Sequence, residues 1–438
     1  MVGTRPFSLE IPAIQRGSAT FPRESFMESG MPTFGIVVGG GPAPGINGVI
    51  SAATIAARRS GARVVGCIQG FEWLMQGDIE HVIDLDENSV NRIHELGGSI
   101  LKTSRANPTK DPANLDRVVD SLARLGVDHL ISIGGDDTCF SARTVADAAG
   151  DQMKVVHVPK TIDNDLPLPP GVPTFGFESA RATASGVLCT LLEDARTSGR
   201  WFIITMMGRN AGHLALGAAH SAGATLAVVA EEYGGRKIRL EELSRRIEGT
   251  ILRSTAEGRP NGVIVLAEGL GESIDENDLA EVPDLPRDEH GHLRLAEFPL
   301  GRLVRARVQT ALEEHQIKAT IVCKDVGYEC RCVAPSAYDQ EYTRELGAGA
   351  VSTLLGGTGH VMITRQSGRI ITIPFDELID PKTGKTAVRM LDTETEAYAT
   401  ALRLQTRLNP ADLANEQLQA SLTKASALDL EALKSRFA

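Results

Sequence analysis

The chain has 438 residues, enough for two or three domains with a sizeable core. Its 45 Lys+Arg against 56 Asp+Glu leave a net charge of −11, and no basic cluster stands out. This argues against a broad nucleic-acid or anionic-membrane surface, and 12 Phe, 5 Tyr and 2 Trp are too few for base-stacking platforms. No apolar leader opens the chain, and the longest apolar run, 214–230, is broken by His220 and Ser221. The six cysteines form no Cys-x-x-Cys pair and read as buried, reduced thiols of a cytosolic protein.

Residues 1–33 mix Pro, Gly, Ser and charge without a period and read as an extension. From there strands and helices alternate. An apolar run at 34–38 meets Gly39-Gly-Gly-Pro-Ala-Pro-Gly45 and then an Ala-rich helix over 49–59. A strand at 63–68, a helix over 114–125 and a strand at 129–133 follow. Gly134-Gly-Asp-Asp-Thr138 then opens a helix reaching about Ala149, and the next strand, 155–158, runs into Pro159-Lys-Thr-Ile-Asp-Asn-Asp165. The second half predicts helices over 178–196, 241–255 and 301–314, with strands at 201–205, 224–230, 262–266 and 319–323. The acidic stretch 272–289 reads as a solvated insertion. Such alternation predicts an α/β protein of two doubly wound domains with mainly parallel sheets.

In open α/β sheets ligands bind beyond the carboxyl ends of the strands, and four polar motifs fall there. The glycine turn at 39–45 lets backbone N–H groups approach phosphate oxygens, though a glycine turn without a ligand reads the same. It carries neither a Walker A ending nor the dinucleotide fingerprint. Asp136 and Asp137 suit a Mg²⁺ shared with phosphates, or an acidic helix start. Lys160, Thr161, Asp163 and Asp165 put a cation, a hydroxyl and two carboxylates behind one strand, where Asp163 could take a hydroxyl proton. Arg209, in Met207-Gly-Arg209, can hold a phosphate through a bidentate fork. A phosphate cradle, a metal carboxylate, a base and cationic clamps are the parts of phosphoryl transfer. No nucleophile elbow, zinc signature or histidine-centred triad is present. His157 and His213 read as packing or hydrogen-bonding residues.

These motifs, with Ala267-Glu268-Gly269 and Gly327-Tyr-Glu-Cys-Arg331, resemble the phosphofructokinase family, in its pyrophosphate-dependent branch, from about Phe34 to Gly359. The resemblance implies an active site in the cleft between two domains. Residues 34–175, completed by about 333–380, would take the phosphoryl donor, and 176–332, completed by about 381–438, the sugar phosphate. It implies Gly41 against the donor phosphates, Arg105 on the transferred phosphoryl, Asp136 on Mg²⁺ and Asp163 as the base for the sugar 1-hydroxyl. Asp137 and Lys160 would act at the donor. Thr161, Ile162, Asp165, Met207, Gly208, Arg209, Glu268, Tyr328, Glu329, Cys330 and Arg331 would line the sugar-phosphate side. Arg200 would reach a neighbouring subunit's 6-phosphate site, implying a homodimer or homotetramer. Relatives often have Gln-Arg-Gly where Cys330-Arg331-Cys332 stands, and Val322 replaces a second cross-subunit arginine, with Lys324 nearby.

ATP-using relatives typically carry glycine where Asp137 stands, so the expected donor is pyrophosphate and the acceptor fructose 6-phosphate, in the cytoplasm, without nucleic acid or membrane. The alternatives are an ATP-dependent phosphofructokinase, a silent regulatory subunit, and an NAD or lipid kinase sharing Gly-Gly-Asp. Intact Asp136, Lys160, Asp163 and Arg209 argue against a silent subunit, and the Thr-Ile-Asp-Asn-Asp string with a separate Met-Gly-Arg against an NAD or lipid kinase.

Overall fold

The computed structural model describes residues 31–280, 282, 285 and 295–437. The expected N-terminal extension therefore lies almost wholly outside the described residues. Within Pro32–Ala438, which cluster as one compact unit, two sheets form.

The first half supplies β1 (Thr33–Val38), α1 (Ile46–Arg59), β2 (Arg63–Cys67), β3 (Val82–Asp84), α2 (Pro112–Arg124), β4 (His129–Gly134), α3 (Asp136–Ala149), β5 (Lys154–Thr161) and β6 (Phe175–Gly176). The second supplies α4 (Phe177–Ser198), β7 (Arg200–Met206), α5 (His213–Ala222), β8 (Leu226–Val228), α6 (Leu240–Ala256), β9 (Gly262–Ala267), the short α7 (Leu270–Ser273) and α8 (Glu276–Ala280), α9 (Leu300–Glu314) and β10 (Thr320–Val326). Beyond them run α10 (Tyr328–Arg331), α11 (Ala337–Leu355), β11 (Val361–Gln366), β12 (Arg369–Pro374), α12 (Glu396–Arg403), α13 (Glu416–Ala425) and α14 (Leu430–Phe437).

The larger sheet has the order β12-β11-β5-β4-β1-β2-β3, with β6 beside β5. Its middle is parallel, and the edge strands β3 and β12 are antiparallel. Central strands buried on both faces are mostly apolar on both, with Ser132 and His157 as buried polar exceptions. Along β1, Phe34, Ile36 and Val38 face α1 and α11, while Val37 faces the α2–α3 side. The smaller sheet, β10-β7-β9-β8, is wholly parallel. Phe202 and Ile204 of β7 pack toward α4 and α5, whereas Trp201 and Ile203 pack toward α6 and α9.

The strand order fixes where a site can form. The chain proceeds from β1 to β2 on one side but places β4 and β5 on the other, so a crevice opens past the ends of β1 and β4. The loops after β7, β9 and β10 gather in the same way at the smaller sheet.

Three expectations shift. The strand expected at 224–230 shrinks to Leu226–Val228, at the sheet edge. The acidic stretch is not simply solvated: Asp278 is buried, accepts Leu240 N–H at 2.8 Å at the start of α6 and pairs with Arg239 at 2.9 Å. Residues 281, 283, 284 and 286–289 of that stretch lie outside the described residues. All six cysteines are free thiols, but Cys189 and Cys332 are exposed rather than buried.

Candidate active site

The loop after β1 is held from both sides. Gly39 N–H donates to Ile133 O at 2.9 Å and Gly40 N–H to Ser104 O at 2.8 Å, which brings the Arg105 segment alongside. Gly40 has φ +78°, a conformation that favours glycine, and a Cβ there would stand 3.5 Å from Lys160 Nζ. A Cβ on Gly41 would stand 3.5 Å from Arg331 Cζ. Residues 290 positions apart thus share one small space. Lys160, buried, donates to Gly41 O. Burial and then Arg331 pull its pKa down to about 8, against the attraction of Asp163, Asp136 and Asp165.

Asp136 and Asp137 form the first turn of α3, where the helix dipole favours negative charge. Desolvation and Asp136 raise the Asp137 pKa, while Lys385, Arg209 and Arg105 oppose the rise. Behind this turn His157 is buried against Gly134 O at 3.1 Å and Ser132 Oγ at 3.3 Å. Burial drives its pKa down to about 3, so it is a neutral hydrogen-bonding residue, as expected.

The loop after β5 turns tightly. Asp163 N–H donates to Thr161 Oγ1 at 3.0 Å, and Asn164, at φ +58°, accepts Thr174 N–H at 3.0 Å. Ile162 packs with Ala43, Phe177 and Met207, anchoring the loop through apolar contact rather than lining the site. Asp163 Oδ1 is buried without a hydrogen-bond partner. Burial, then Asp165 and Glu268, raise the Asp163 pKa to about 7, against Arg331 and the Arg209 backbone N–H. Asp165 is buried and accepts Asn210 Nδ2 at 3.2 Å.

At the smaller sheet, Gly208 (φ +143°) donates its N–H to Glu268 Oε1 at 3.1 Å. A Cβ at Gly327 would meet Met207 Cε at 2.7 Å, so the ends of β7 and β10 close on each other. Arg209 is exposed, and Arg331 lies over the ring of Tyr328, itself 68% exposed. Asp136, Asp137, Lys160, Asp163, Asp165, Arg209, Glu268 and Arg331 therefore share one electrostatic neighbourhood.

Two expected contacts, Cys330 and Glu329, are engaged elsewhere, and Arg200, expected to serve a neighbouring subunit, lies away from its own chain's cleft. Cys330 is fully buried in the apolar core, because the single turn of α10 sends Arg331 outward and Cys330 inward. Glu329 is occupied by Lys324 Nζ at 3.2 Å and Gly327 N–H at 3.0 Å. Arg200 starts β7, six residues before the end of the strand that carries the Met207 loop, or about 20 Å away. Its Nε lies 3.6 Å from Asp194.

Lys385, Thr386, Arg389 and Asn210 also border the site and were not read from the sequence. Asn210 could have been found inside its motif. The other three follow β12 in an ordinary polar turn with no local signal. Among the described residues no group of three or more His, Cys, Asp or Glu could hold a metal ion by itself. The donor set instead fits a hard cation held by one carboxylate, Asp136, together with phosphate oxygens.

The family model described as phosphofructokinase matches residues 33–354. The chain is 46% identical over 384 residues to a pyrophosphate–fructose 6-phosphate 1-phosphotransferase of Thermotoga maritima, covering 86% of this chain and 91% of that one. It is 44% identical over 423 residues to a protein of the same name from Naegleria fowleri, covering 94% and 97%. The crystal structure of a pyrophosphate-dependent phosphofructokinase from Marinobacter aquaeolei superimposes with a TM-score of 0.65 at 17% identity, over 91% of this chain and 92% of that one. The glycine cradle, the carboxylates of α3 and the Asp163 loop all fall within the matched residues, and this chain belongs to the phosphofructokinase family.

Proposed function

We propose that the chain reversibly transfers phosphoryl from pyrophosphate to O1 of fructose 6-phosphate, giving fructose 1,6-bisphosphate and phosphate. The observation that carries this reading is the half-buried Asp163 carboxylate, whose enclosed Oδ1 has no hydrogen-bond partner and whose pKa is raised to about 7, in the field of Arg331, Asp165 and Glu268. Asp163 takes the proton of the sugar O1–H as O1 bonds to phosphorus and the bridging P–O bond of pyrophosphate breaks. In the reverse direction protonated Asp163 returns that proton. Lys160, Arg105 and Arg209 hold phosphate oxygens, and the Gly40–Gly41 turn, with no side chains of its own, lets its backbone meet them. Asp136 would share Mg²⁺ with the phosphates, and that ion supplies charge neutralisation when bound. Glu268 and Arg331 serve the sugar phosphate.

Asp137 selects the donor. ATP-using members of the family typically carry glycine there, and a carboxylate crowds and repels a third phosphate. Two like charges about 4 Å apart cost about 4 kcal/mol at an effective dielectric near 20, or about three powers of ten. The reading extends to a cytoplasmic homo-oligomer in which Arg200 serves a neighbour's 6-phosphate site. It also treats the larger sheet as the donor side and the smaller as the sugar side.

The test is a coupled assay of the purified protein with Mg²⁺, comparing pyrophosphate and ATP. Pyrophosphate should exceed ATP in kcat/KM by about three powers of ten. Asp137→Gly should lower pyrophosphate turnover and make ATP a detectable donor. Efficient use of ATP by the wild type, or an unchanged ratio in the variant, would move the ATP-dependent reading ahead.

A further inference from the structure

Beyond the residues matched by the family model, the chain returns to the cleft. Ile379 bridges Thr386 in antiparallel fashion, Ala387 N–H donates to Leu378 O at 2.7 Å and Asp380 N–H to Lys385 O at 2.9 Å, closing a small arm. The returning leg lies on the active-site loops. Thr386, buried, donates Oγ1 to Asp136 O at 3.1 Å. Arg389 donates its backbone N–H to Asp165 O at 2.7 Å, and its guanidinium to Val172 O at 2.8 Å and Asn164 O at 2.9 Å. Leu391 N–H donates to Glu231 Oε1 at 3.1 Å, an oxygen that also accepts Gly212 N–H at 2.8 Å just past Arg209. The arm thus ties the loop of the base to the loop of the clamping arginine.

Lys385 immediately precedes Thr386 on this leg. It is exposed, and among the described residues its ammonium has no hydrogen-bond or ion-pair partner. Its neighbour's bond to the Asp136 carbonyl holds it at the first turn of α3. There it is the cation felt most by Asp137, ahead of Arg209 and Arg105. An exposed ammonium without a partner among the described residues, carried to the first turn of α3 by an arm bonded to Asp136 O and Asp165 O, is placed for an anion.

We propose that Lys385 is a phosphate-binding residue of the donor site, holding pyrophosphate and the phosphate it becomes, and that the 379–391 arm is part of the active site. The proposal rests on the pyrophosphate reading above. Lys385 would compensate Asp137: the carboxylate that excludes a longer donor would otherwise repel pyrophosphate as well.

The experiment uses the full chain. Lys385→Ala should raise KM for pyrophosphate and the inhibition constant for inorganic phosphate about 10- to 100-fold, the worth of one charge-assisted hydrogen bond. KM for fructose 6-phosphate and Tm should stay near wild type, and Lys385→Arg should restore most of the loss. A pyrophosphate KM within twofold of wild type would overturn the proposal. So would a joint rise of both KM values with a fall in Tm, which would mark Lys385 as merely supporting the arm. Wild-type turnover with pyrophosphate, measured alongside, keeps failure of this inference distinct from failure of the functional reading.

Discussion

Asp163 concentrates the chemistry in one titrating group. Burial raises its pKa to about 7, so in the sugar-phosphorylating direction kcat/KM should rise with pH through that value. Asp163→Asn should lose about 10²–10⁴ in turnover and the limb near pH 7 together, as steady-state pH profiles can check. Retention of that limb would place the base elsewhere. The same shift affects stability. A carboxyl whose folded pKa is raised stabilises the fold fully below its unfolded value of about 4 and loses that contribution as pH rises through about 7. Asp163→Asn should therefore melt higher than wild type at pH 8, with the difference vanishing near pH 4. Stability is given up at this position for a usable base. The residue type and its place after an apolar strand were readable from the sequence. Its perturbation was not, because enclosure and the charges of Glu268 and Arg331 reach it only in the fold.

At the scale of elements, the polar groups that fix helix starts come from far along the chain. Asp339, buried in the first turn of α11, accepts Gly176 N–H at 3.0 Å, Ser179 N–H at 2.8 Å and Ser179 Oγ at 2.5 Å. It thereby satisfies donors that α4 cannot satisfy within itself. Asp339→Ala should cost about 1–3 kcal/mol for stranded donors and lower the urea midpoint, with Asp339→Asn losing less because a carbonyl acceptor remains. Equal midpoints for wild type and Asp339→Ala would show that water replaces the carboxylate. The central strands were legible as Val- and Ile-rich runs, since parallel strands buried on both faces are mostly apolar and admit polar residues such as His157 and Ser132 only where these bond each other or the backbone. β12 was harder to read: it is a half-exposed edge strand whose residues carry only a weak apolar pattern.

In the whole molecule, the two strand-order reversals bring loops from both sheets to one cleft, while Arg200 stays at the far end of β7. If Arg200 serves a neighbour, its own chain cannot use it. Arg200→Ala should raise KM for fructose 6-phosphate at least tenfold while leaving KM for pyrophosphate near wild type. At fructose 6-phosphate well below the raised KM, mixing Arg200→Ala with Asp163→Asn subunits should give more activity than either shows alone. Light scattering should find a homo-oligomer. An active monomer at every concentration would refute the shared site.

By itself the sequence determined the alternation of strands and helices, the loops after β1, β4, β5 and β7, and the charged residues they carry. These are local properties: apolar runs mark strands, and glycine and acidic residues mark the turns that follow. Tertiary structure alone decided which of them meet. It turned Cys330 inward and Arg331 outward within a single helical turn. It gave Glu329 to Lys324, and it returned Lys385 and Arg389 to loops more than 200 residues away. Such contacts leave no periodicity in the chain, because the bonds that create them form only when the sheets and the arm have packed.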